Sequence, residues 1–431
     1  DIPTETMSPK SDEAGDVYQL ENWIANRETE QLQYYFKYCY IAINRANTVI
    51  DHIQNSSVLS ETARRRILGE AYFLRAWNYF NLVRTFGIVP VQTKMVAELS
   101  QTTPPMATGL DQLYDLILGD LTRADNLLEV NKVFGRADKV AAQSLMAKAY
   151  LTIASSKEHN VHRYTEMRRE PRIMYDSAAY WAGKVVRDYK NVYDFDTNLR
   201  DIYDVDKPTG PEHIFIMPID RSGTQEGNYS KLPLLFLPSN NSVPFYIRYG
   251  NGDLQRANGN GWGVFLCNDE FVETQFSTTD KRRTELIHRD IYDASGNPIV
   301  PNQVKGYFSS KYVDPNFIGE RTSARPYLIR FSDIALVYAE AAGPEAGLAY
   351  VNRIRERAGV TPLPSGMTTD KFREAVIKER ALELAFEGNR LYDLRRTASV
   401  TTTDIKAAGL SEAEAAYYPI PQREIDLNPN L

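Results

Sequence analysis

The stretch IKERALELAFEGNRLYDLRR, residues 377–396, repeats a glutamate at helical spacing. Glu379, Glu383 and Glu387 are each four residues apart, so a helix places them in one row between two apolar stripes. A like-charge pair at this spacing costs roughly 0.2 to 0.5 kcal/mol on an exposed helix, and apolar surroundings deepen that cost by excluding water. The sequence therefore predicts cations beside the glutamate row.

Two arginines in the same stretch are candidate partners for this row. Arg380 and Arg390 lie three residues from Glu383 and Glu387, so we expect both to pair locally. The row still carries an excess of negative charge, and a basic side chain from another helix is expected to balance it. Paired carboxylates also serve glycoside cleavage, but there they lie on opposite sides of the substrate rather than in one line along a helix. The row is therefore interpreted as structural ion pairing.

The chain has 431 residues, enough for a large core and, by size, for two or three domains. Hydrophobic residues at 43% and charged residues at 25% are typical of globular proteins, and no apolar run is long enough to cross a bilayer. The net charge of −6 and the lack of a sustained basic tract argue against a nucleic-acid partner. The 27 tyrosines indicate amphipathic rings at a surface as well as in the core.

Motifs for catalysis, metal binding and cofactor binding are missing from the sequence. It contains no G-x-S-x-G elbow, Walker lysine loop or H-E-x-x-H, so no enzyme activity, catalytic residue or cofactor is predicted. Cys39 and Cys267 are interpreted as buried thiols, because two distant cysteines form neither a disulfide framework nor a zinc site. His159 and His162 lack accompanying carboxylates or thiols, so no metal is expected there.

Helical periodicity dominates much of the chain after an acidic, non-periodic arm over residues 1–17, which is expected to be extended or poorly ordered. Ser60 is predicted to cap the second helix and Gly87 to end it, and its apolar stretch 71–83 predicts a central position. The connections are short, which favours stacked helical hairpins similar to tetratricopeptide repeats, with an irregular bundle as the alternative. The predicted helices cover residues 30–54, 60–86, 110–129, 138–155, 176–189, 331–342, 346–359 and 370–388.

Residues 191–324 are loop-rich, because helical periodicity fades and Gly, Asn, Pro and Asp become frequent. Within them, residues 212–219 and 306–313 predict short strands, and residues 291–300 predict a hairpin with its turn at residues 294–297.

The segment VPFYIRYGNGDLQRANGNGWG, residues 243–263, is the predicted ligand-binding loop. It alternates aromatic side chains with amides, carboxylates and arginines, and its glycines are expected to keep the backbone adaptable. Aromatic rings suit the apolar face of a pyranose, and planar polar groups suit its hydroxyls. The opposing interpretation is that the rings anchor a long loop to the scaffold. The candidate site residues are Phe245, Tyr246, Arg248, Tyr249, Asn251, Asp253, Arg256 and Trp262, with Trp23 as a second candidate for an exposed aromatic platform.

Several stretches resemble the signatures of the SusD/RagB family. GEAYFLRAWNYFNLVRTFGIVPVQT, from residue 69, is similar to that family's GEA-FLRA-YYF-LVR-FG-VP pattern. RPYLIRFSDIALVYAEA, VNRIRERAGV, IKERALELAFEGNRLYDLRR and the ending YYPIPQREIDLNPNL occur in the family's order. Together these stretches span most of residues 30–431, and the glutamate helix belongs to a scaffold signature of the family.

This resemblance implies a mainly α fold with four tetratricopeptide-like units as a scaffold and a loop-rich half, containing short β-strands, that carries the ligand site. The implied organisation is a SusD-like N-terminal helical region, 18–200, and a C-terminal region, 201–431. The latter divides into a loop-rich ligand-binding segment 201–324, a helical segment 325–400 and a tail 401–431. The family's sugar-contacting positions vary, so the site residues depend on the composition of residues 243–263 alone.

The resemblance further implies a glycan-binding lipoprotein on the outer face of the outer membrane that delivers its ligand to a SusC-like TonB-dependent transporter. The membrane is reached only through a lipidated cysteine, which would have to lie upstream of Asp1 because no cysteine precedes Cys39. Some members bind peptides, so an oligopeptide-binding lid of the same transporter is the alternative. An enzyme acting on glycans and a helical adaptor for another protein are two further hypotheses.

Overall fold

A computed structural model describes residues 1–10, 15–222, 229–300 and 304–431. The chain forms two compact units that are discontinuous in sequence. The mixed unit comprises residues 1–21 and 190–391, and the helical unit comprises residues 22–189 and 392–431. The predicted division near residue 200 follows the chain in order, whereas each of these units combines two separate stretches.

Helices dominate the residues that the structure describes, and the longest ones belong to the helical unit. In chain order the α-helices are α1 Asp16–Glu21, α2 Glu30–Ile53, α3 Glu61–Phe86, α4 Leu110–Leu127, α5 Lys139–Glu158, α6 Pro171–Asp188, α7 Leu232–Phe236, α8 Asp269–Gln275, α9 Lys281–Leu286, α10 Phe331–Ala342, α11 Pro344–Arg357, α12 Thr369–Glu383, α13 Arg390–Arg396, α14 Val400–Thr403, α15 Glu412–Ala416 and α16 Gln422–Leu427.

The strands are short, and those in the described residues form two-stranded sheets. They are β1 Met7–Pro9, β2 His213–Ile216, β3 Phe245–Arg248, β4 Leu254–Ala257, β5 Phe265–Cys267, β6 Ile287–His288, β7 Phe308–Ser309 and β8 Tyr327–Arg330. The antiparallel pairs are β1 with β5, β2 with β8, β3 with β4, and β6 with β7. The fold is therefore mainly α with small sheets, as predicted.

Successive helices from α2 to α6 pack against one another in the helical unit. Ser60 caps α3 by accepting a hydrogen bond from the Ala63 backbone, and Gly87, at φ 75°, ends it, so both predicted boundaries are confirmed. α3 packs against both α2 and α4, which confirms its central position. Its buried Arg75 is paired with Asp120 of α4 at 2.6 Å, so this interruption of the apolar pattern is an internal ion pair.

The first residues of the chain are part of the mixed unit rather than a loose arm. Met7 pairs with Cys267 across β1 and β5, and Thr6 is fully buried. Of the two predicted states of the arm, the extended one is confirmed for residues 7–9 and the poorly ordered one is wrong there, because the strand completes its backbone hydrogen bonds with a partner far along the chain. The part of the predicted arm over residues 11–14 lies outside the described residues.

Residues 243–263, predicted as an adaptable loop, contain the regular hairpin of β3 and β4. Phe245 pairs with Ala257, and Arg248 pairs with Leu254. Side chains alternate between the two faces, so Phe245 and Ile247 enter a core cluster while Arg248 points outward. The predicted hairpin at residues 291–300 is confirmed and bonds to β3 through its residue Tyr292.

Helix α12 ends at Glu383, before the last of the three glutamates in the row. Phe386 adopts φ 69°, a left-handed conformation that a residue other than glycine seldom takes, and this turns the chain away from the helix axis. The expectation that Glu387 continues the helical row is therefore wrong. Its side chain nonetheless returns to the same cluster of charges, as described below.

Both cysteines are free and buried, as predicted. Across the described part of the chain, no helix combines the length and apolar character needed to span a bilayer.

Candidate ligand-binding site

The tip of the β3–β4 hairpin borders a polar hollow of about 400 Å³ in the mixed unit. This volume lies within the range of ligand pockets, roughly 300 to 1,000 Å³. The hairpin contributes side chains from residues 249–255, and the wall facing them comes from residues 198–204. The lining residues are Asn198, Arg200, Asp201, Tyr203, Asp204, Tyr249, Asp253, Leu254, Gln255, Leu286, Ser310 and Val313.

Of the predicted site residues, Tyr249 and Asp253 line this hollow, and Asn251 holds Asp253 through a 2.6 Å hydrogen bond from its amide. The hydrogen bond from Asn251 lowers the pKa of the Asp253 carboxyl, and a second hydrogen bond, from Arg200 at 3.0 Å, lowers it further. Asp253 is therefore an ionised acceptor at neutral pH. Carboxylates and amides in fixed positions accept and donate hydrogen bonds as vicinal sugar hydroxyls require.

Arg200 is the positively charged residue that lines the hollow, and it was not among the predicted site residues. Its guanidinium pairs with Asp253, approaches Glu285 at 3.6 Å and lies 4.5 Å from the centre of the Tyr249 ring. The signal available in the sequence was weak, because Arg200 lies in an Asn- and Asp-rich stretch, residues 196–206, that shows no helical or strand periodicity. Only the fold brings this stretch beside the hairpin tip.

Tyr249 joins the hollow to the core. The residue is 6% exposed, packs edge-to-face on His288, and donates a hydrogen bond from its hydroxyl to Gln255. Burial raises its pKa to about 12, although Arg200 opposes this shift, so the hydroxyl is protonated at neutral pH. The ring thus forms a fixed wall of the hollow rather than a mobile contact.

The other hairpin residues of the prediction do not line the hollow. Phe245 is fully buried in the core cluster, so its predicted ligand contact is wrong: strand alternation turns it inward. Arg248 lies 4.2 Å from the centre of the Tyr292 ring and donates to the carbonyl of Gly296. Arg256 donates to the carbonyl of Pro315 at 2.9 Å. Tyr246, half-buried, lies opposite Arg256 in the hairpin register.

Trp262 lies beyond the other end of the hairpin and is 47% exposed. Its backbone nitrogen donates to the carbonyl of Leu234 at 2.6 Å, and Lys231 lies 6.0 Å from its ring centre. A Cβ on the preceding Gly261 would lie 2.0 Å from the Leu237 carbonyl oxygen, so the glycine allows close backbone packing. The expectation of an adaptable glycine loop is wrong here: the glycines fix the position of an exposed ring.

Trp23 is not an exposed platform. The residue is 7% exposed in the helical unit, and its indole nitrogen donates to Asp404 at 3.1 Å. The prediction of exposure failed because residues 392–431, which supply Asp404, return to pack with the N-terminal helices.

The glutamate row forms a buried ion network, which supports its structural interpretation. Glu383 contacts Arg357 at 2.7 Å and Arg330 at 3.2 Å, and Glu379 contacts Arg282 at 2.5 Å. Cations from other elements therefore balance the row, as expected.

The two local pairings expected for this row are wrong. Arg380 pairs with Asp333 at 2.8 Å, and Arg390 pairs with Glu5 at 2.5 Å. The end of α12 moves Arg390 off the helix that would have aligned it with Glu387.

Two further members complete the network. Glu387 binds Arg330 at 2.7 Å and Lys311 at 2.6 Å, and these two cations lower its pKa although burial opposes them. Glu212 binds both Arg330 and Arg357; burial alone would raise the pKa of Glu212, but the two arginines lower it to about 2. Every carboxylate of the network is thus held as a counter-ion for a buried cation. Within the described ranges, no cluster of three or more His, Cys, Asp or Glu side chains has the geometry of a metal site.

The described residues thus form a mainly helical scaffold with a polar hollow, and comparisons with known proteins find relatives of this chain. A model described as the SusD family matches residues 291–431, and one described as starch-binding, associating with outer membrane, matches residues 4–151. The chain is therefore similar to the SusD/RagB family over residues 4–151 and 291–431.

Among its relatives, SusD-like protein P2 of Formosa agariphila is 24% identical over 409 residues, covering 88% of this chain and 74% of that protein. A SusD superfamily protein from Parabacteroides distasonis has a similar crystal structure, with a TM-score of 0.81 at 22% identity, covering 100% of this chain and 91% of that one. A laminarin-binding SusD-like protein has a TM-score of 0.77 at 22% identity, covering 99% and 90%. These structures confirm the predicted fold.

Proposed function

We propose that this protein is a non-enzymatic glycan-binding protein that captures neutral oligosaccharides or polysaccharides in the hollow beside the β3–β4 hairpin. The observation that carries the proposal is the arrangement of fixed carboxylates, amides and a buried tyrosine around a space of about 400 Å³. Similarity to the SusD/RagB family and to a laminarin-binding SusD-like protein supports glycans as the ligand class.

The charge of the hollow favours neutral sugars. Its lining carries three carboxylates, Asp201, Asp204 and Asp253, against the single guanidinium of Arg200. Lys207 pairs with Asp201 at 2.8 Å from outside the lining, and Arg200 is already paired with Asp253. A uronate or sulfate group would therefore face like charges without a free cation to bind it. Hydroxyl groups, in contrast, donate to these carboxylates at no electrostatic cost.

We further propose that the protein delivers its ligand to a SusC-like TonB-dependent transporter and is held at the outer membrane by an N-terminal lipid anchor. The description of the matching family model as associating with the outer membrane supports this location. Copurification with the transporter from native membranes would test the partner. Replacing the proposed lipid anchor by a secreted leader should release the protein from the membrane, which would test the anchor.

Calorimetry against neutral glucans, acidic polysaccharides and peptides tests the ligand class. We expect binding to at least one neutral polymer, weaker or no binding to polygalacturonate and heparin, and reduced affinity in Asp253→Ala. Lys378→Ala, an exposed change on α12, is the matched control and should bind as the parent chain does. Binding to peptides without binding to any glycan would replace the proposal with the oligopeptide-binding alternative. Cleavage of a bound glycan would overturn the non-enzymatic assignment.

A further inference from the structure

A small cavity in the helical unit is bordered by three arginine side chains. Its volume is about 10 Å³, enough for one particle of about the size of a water molecule. Arg84 reaches the cavity from α3, and Arg395 and Arg396 reach it from α13. The rest of its lining consists of Thr152, Ser156, Val161, Tyr164, Tyr392, Ala416 and Tyr417.

Arg395 presents an unused hydrogen-bonding edge in this cluster. The residue is 5% exposed, and its Nη1 donates weakly to the carbonyl of Arg84 at 3.3 Å. Its Nε and Nη2 have no hydrogen-bond acceptor among the residues that the structure describes. The Tyr418 ring, 4.3 Å from the guanidinium carbon, offers it a favourable face. The Tyr418 hydroxyl is also buried and forms no hydrogen bond within the described part of the chain. The Nε–Nη2 edge carries two roughly parallel N–H bonds, the geometry that guanidinium groups use to hold anions.

The cluster also buries more positive than negative charge. Arg396 is balanced by Asp393 at 2.9 Å. Over the described ranges, Arg84 and Arg395 have no carboxylate at ion-pair distance; Arg84 instead stacks 3.9 Å from the centre of the Tyr392 ring. Burial lowers the pKa of Arg395, and the charges that oppose this shift belong to tyrosines. Arginine is seldom buried without a counter-charge, because its desolvation is costly.

We propose that this cavity binds a small monovalent anion of the halide class, chloride under ordinary conditions, through Nε and Nη2 of Arg395. The cavity is too small for sulfate, phosphate or a sugar. A neutral water molecule could accept both N–H bonds but would leave the guanidinium charge uncompensated. The anion would tie α13 and the C-terminal tail to α3 and α5. This site is separate from the glycan hollow, which belongs to the mixed unit.

Thermal unfolding in chloride and in gluconate at equal ionic strength tests the proposal. We expect Tm to rise saturably with chloride or bromide and to stay flat in gluconate, which is too large to enter. A crystal soaked in bromide should give an anomalous peak beside Nε and Nη2 of Arg395. Equal Tm in both salts, or a water molecule at that position in the bromide-soaked crystal, would overturn the proposal.

Variants separate the specific site from general salt effects. Arg395→Met removes the charge and keeps an unbranched apolar side chain, so the halide-dependent rise in Tm should disappear. Arg395→Lys keeps a charge but lacks the two-pronged edge, so the rise should need a higher halide concentration. Arg66→Met, which removes an exposed arginine from the same helix α3, is the matched control and should keep the full response. If Arg395→Met fails to fold, the bromide soak of the parent protein still decides the outcome. A halide response of the same size in Arg395→Met would contradict the site.

Discussion

Glu383 shows how single residues in this protein are fixed by partners that lie far away in sequence. Its carboxylate meets Arg330 and Arg357, and Lys311 donates to its backbone carbonyl at 3.2 Å. The sequence predicted that a basic side chain from another helix would join two local arginines, because the excess charge of the row is visible in its spacing. It could not predict which cations, since Arg380 and Arg390 were equally close along the chain and only packing directs them to Asp333 and Glu5.

Replacing Glu383 tests this network. Glu383→Ala leaves two buried arginines short of a counter-charge, so we expect the free energy of unfolding to fall by about 3 to 5 kcal/mol. Urea unfolding followed by circular dichroism measures the change. Glu374→Ala removes an exposed carboxylate from the same helix and should change stability little. Equal stability of both variants would show that the row is not an essential buried network.

Trp262 is an exposed ring outside the hollow, and the proposed capture of polysaccharides makes it a candidate second contact for a long glycan chain. Because nearly half of it is exposed, Trp262→Ala should leave Tm unchanged. We expect the variant to lose about 1 to 3 kcal/mol of glycan-binding free energy, the range for an aromatic anchor. Calorimetry with the best-bound glycan measures this loss. Tyr180→Ala, which removes an exposed ring of the helical unit, should not affect affinity. Unchanged affinity in Trp262→Ala would remove that ring from the site.

At the scale of elements, the long helices were predictable and the short strands were largely not. α2 to α5 lie within a few residues of their predicted bounds, because each is long enough for its apolar periodicity to be unmistakable. β1 and β5 are three residues each and pair across more than half the chain, so no local pattern marks them. The β3–β4 hairpin was missed because its Gly and Asn content resembles that of a loop, although Phe245, Ile247 and Tyr249 do alternate as a strand requires.

The close backbone packing at Gly261, which follows this hairpin, predicts that a side chain there would destabilise the segment that carries Trp262. In Gly261→Ala the new Cβ would meet the carbonyl of Leu237, so the segment must shift. We expect a loss of about 1 to 3 kcal/mol in the free energy of unfolding, as in overpacked sites. Urea unfolding measures it. Gly409→Ala, where no atom lies within 4 Å of the added Cβ, is the control. A fully stable Gly261→Ala would show that this close packing is not a constraint.

At the scale of the whole molecule, the lowered pKa of the buried Glu212 predicts that the folded protein loses stability in acid. The pKa of Glu212 is about 2 in the folded protein, against an ordinary value of 4.5. The unfolded chain therefore binds more protons between these pH values. The contribution of Glu212 to stability is complete above about pH 4.5 and is lost as pH falls towards 2.

We therefore expect Tm to fall steeply below pH 4.5 in the parent protein and less steeply in Glu212→Gln, which has no carboxyl to protonate. Calorimetry across this pH range measures both slopes. Glu345→Gln, an exposed change on α11, should keep the parent slope. The same slope in Glu212→Gln would refute the role of this carboxylate.

The interleaving of the two units affects the order in which the chain can fold during synthesis. When residue 391 has emerged from the ribosome, every residue of the mixed unit has been synthesised and can fold. The helical unit still lacks residues 392–431 at that point. Tyr392 bonds Thr85, and the backbone of Tyr418 bonds Thr85 as well, so the final stretch closes over helices made long before. Until that stretch emerges, α2 to α6 keep apolar surface open to chaperones and proteases. A chain that stops within residues 392–431 would therefore leave the helices that are synthesised first without the segment that packs on them.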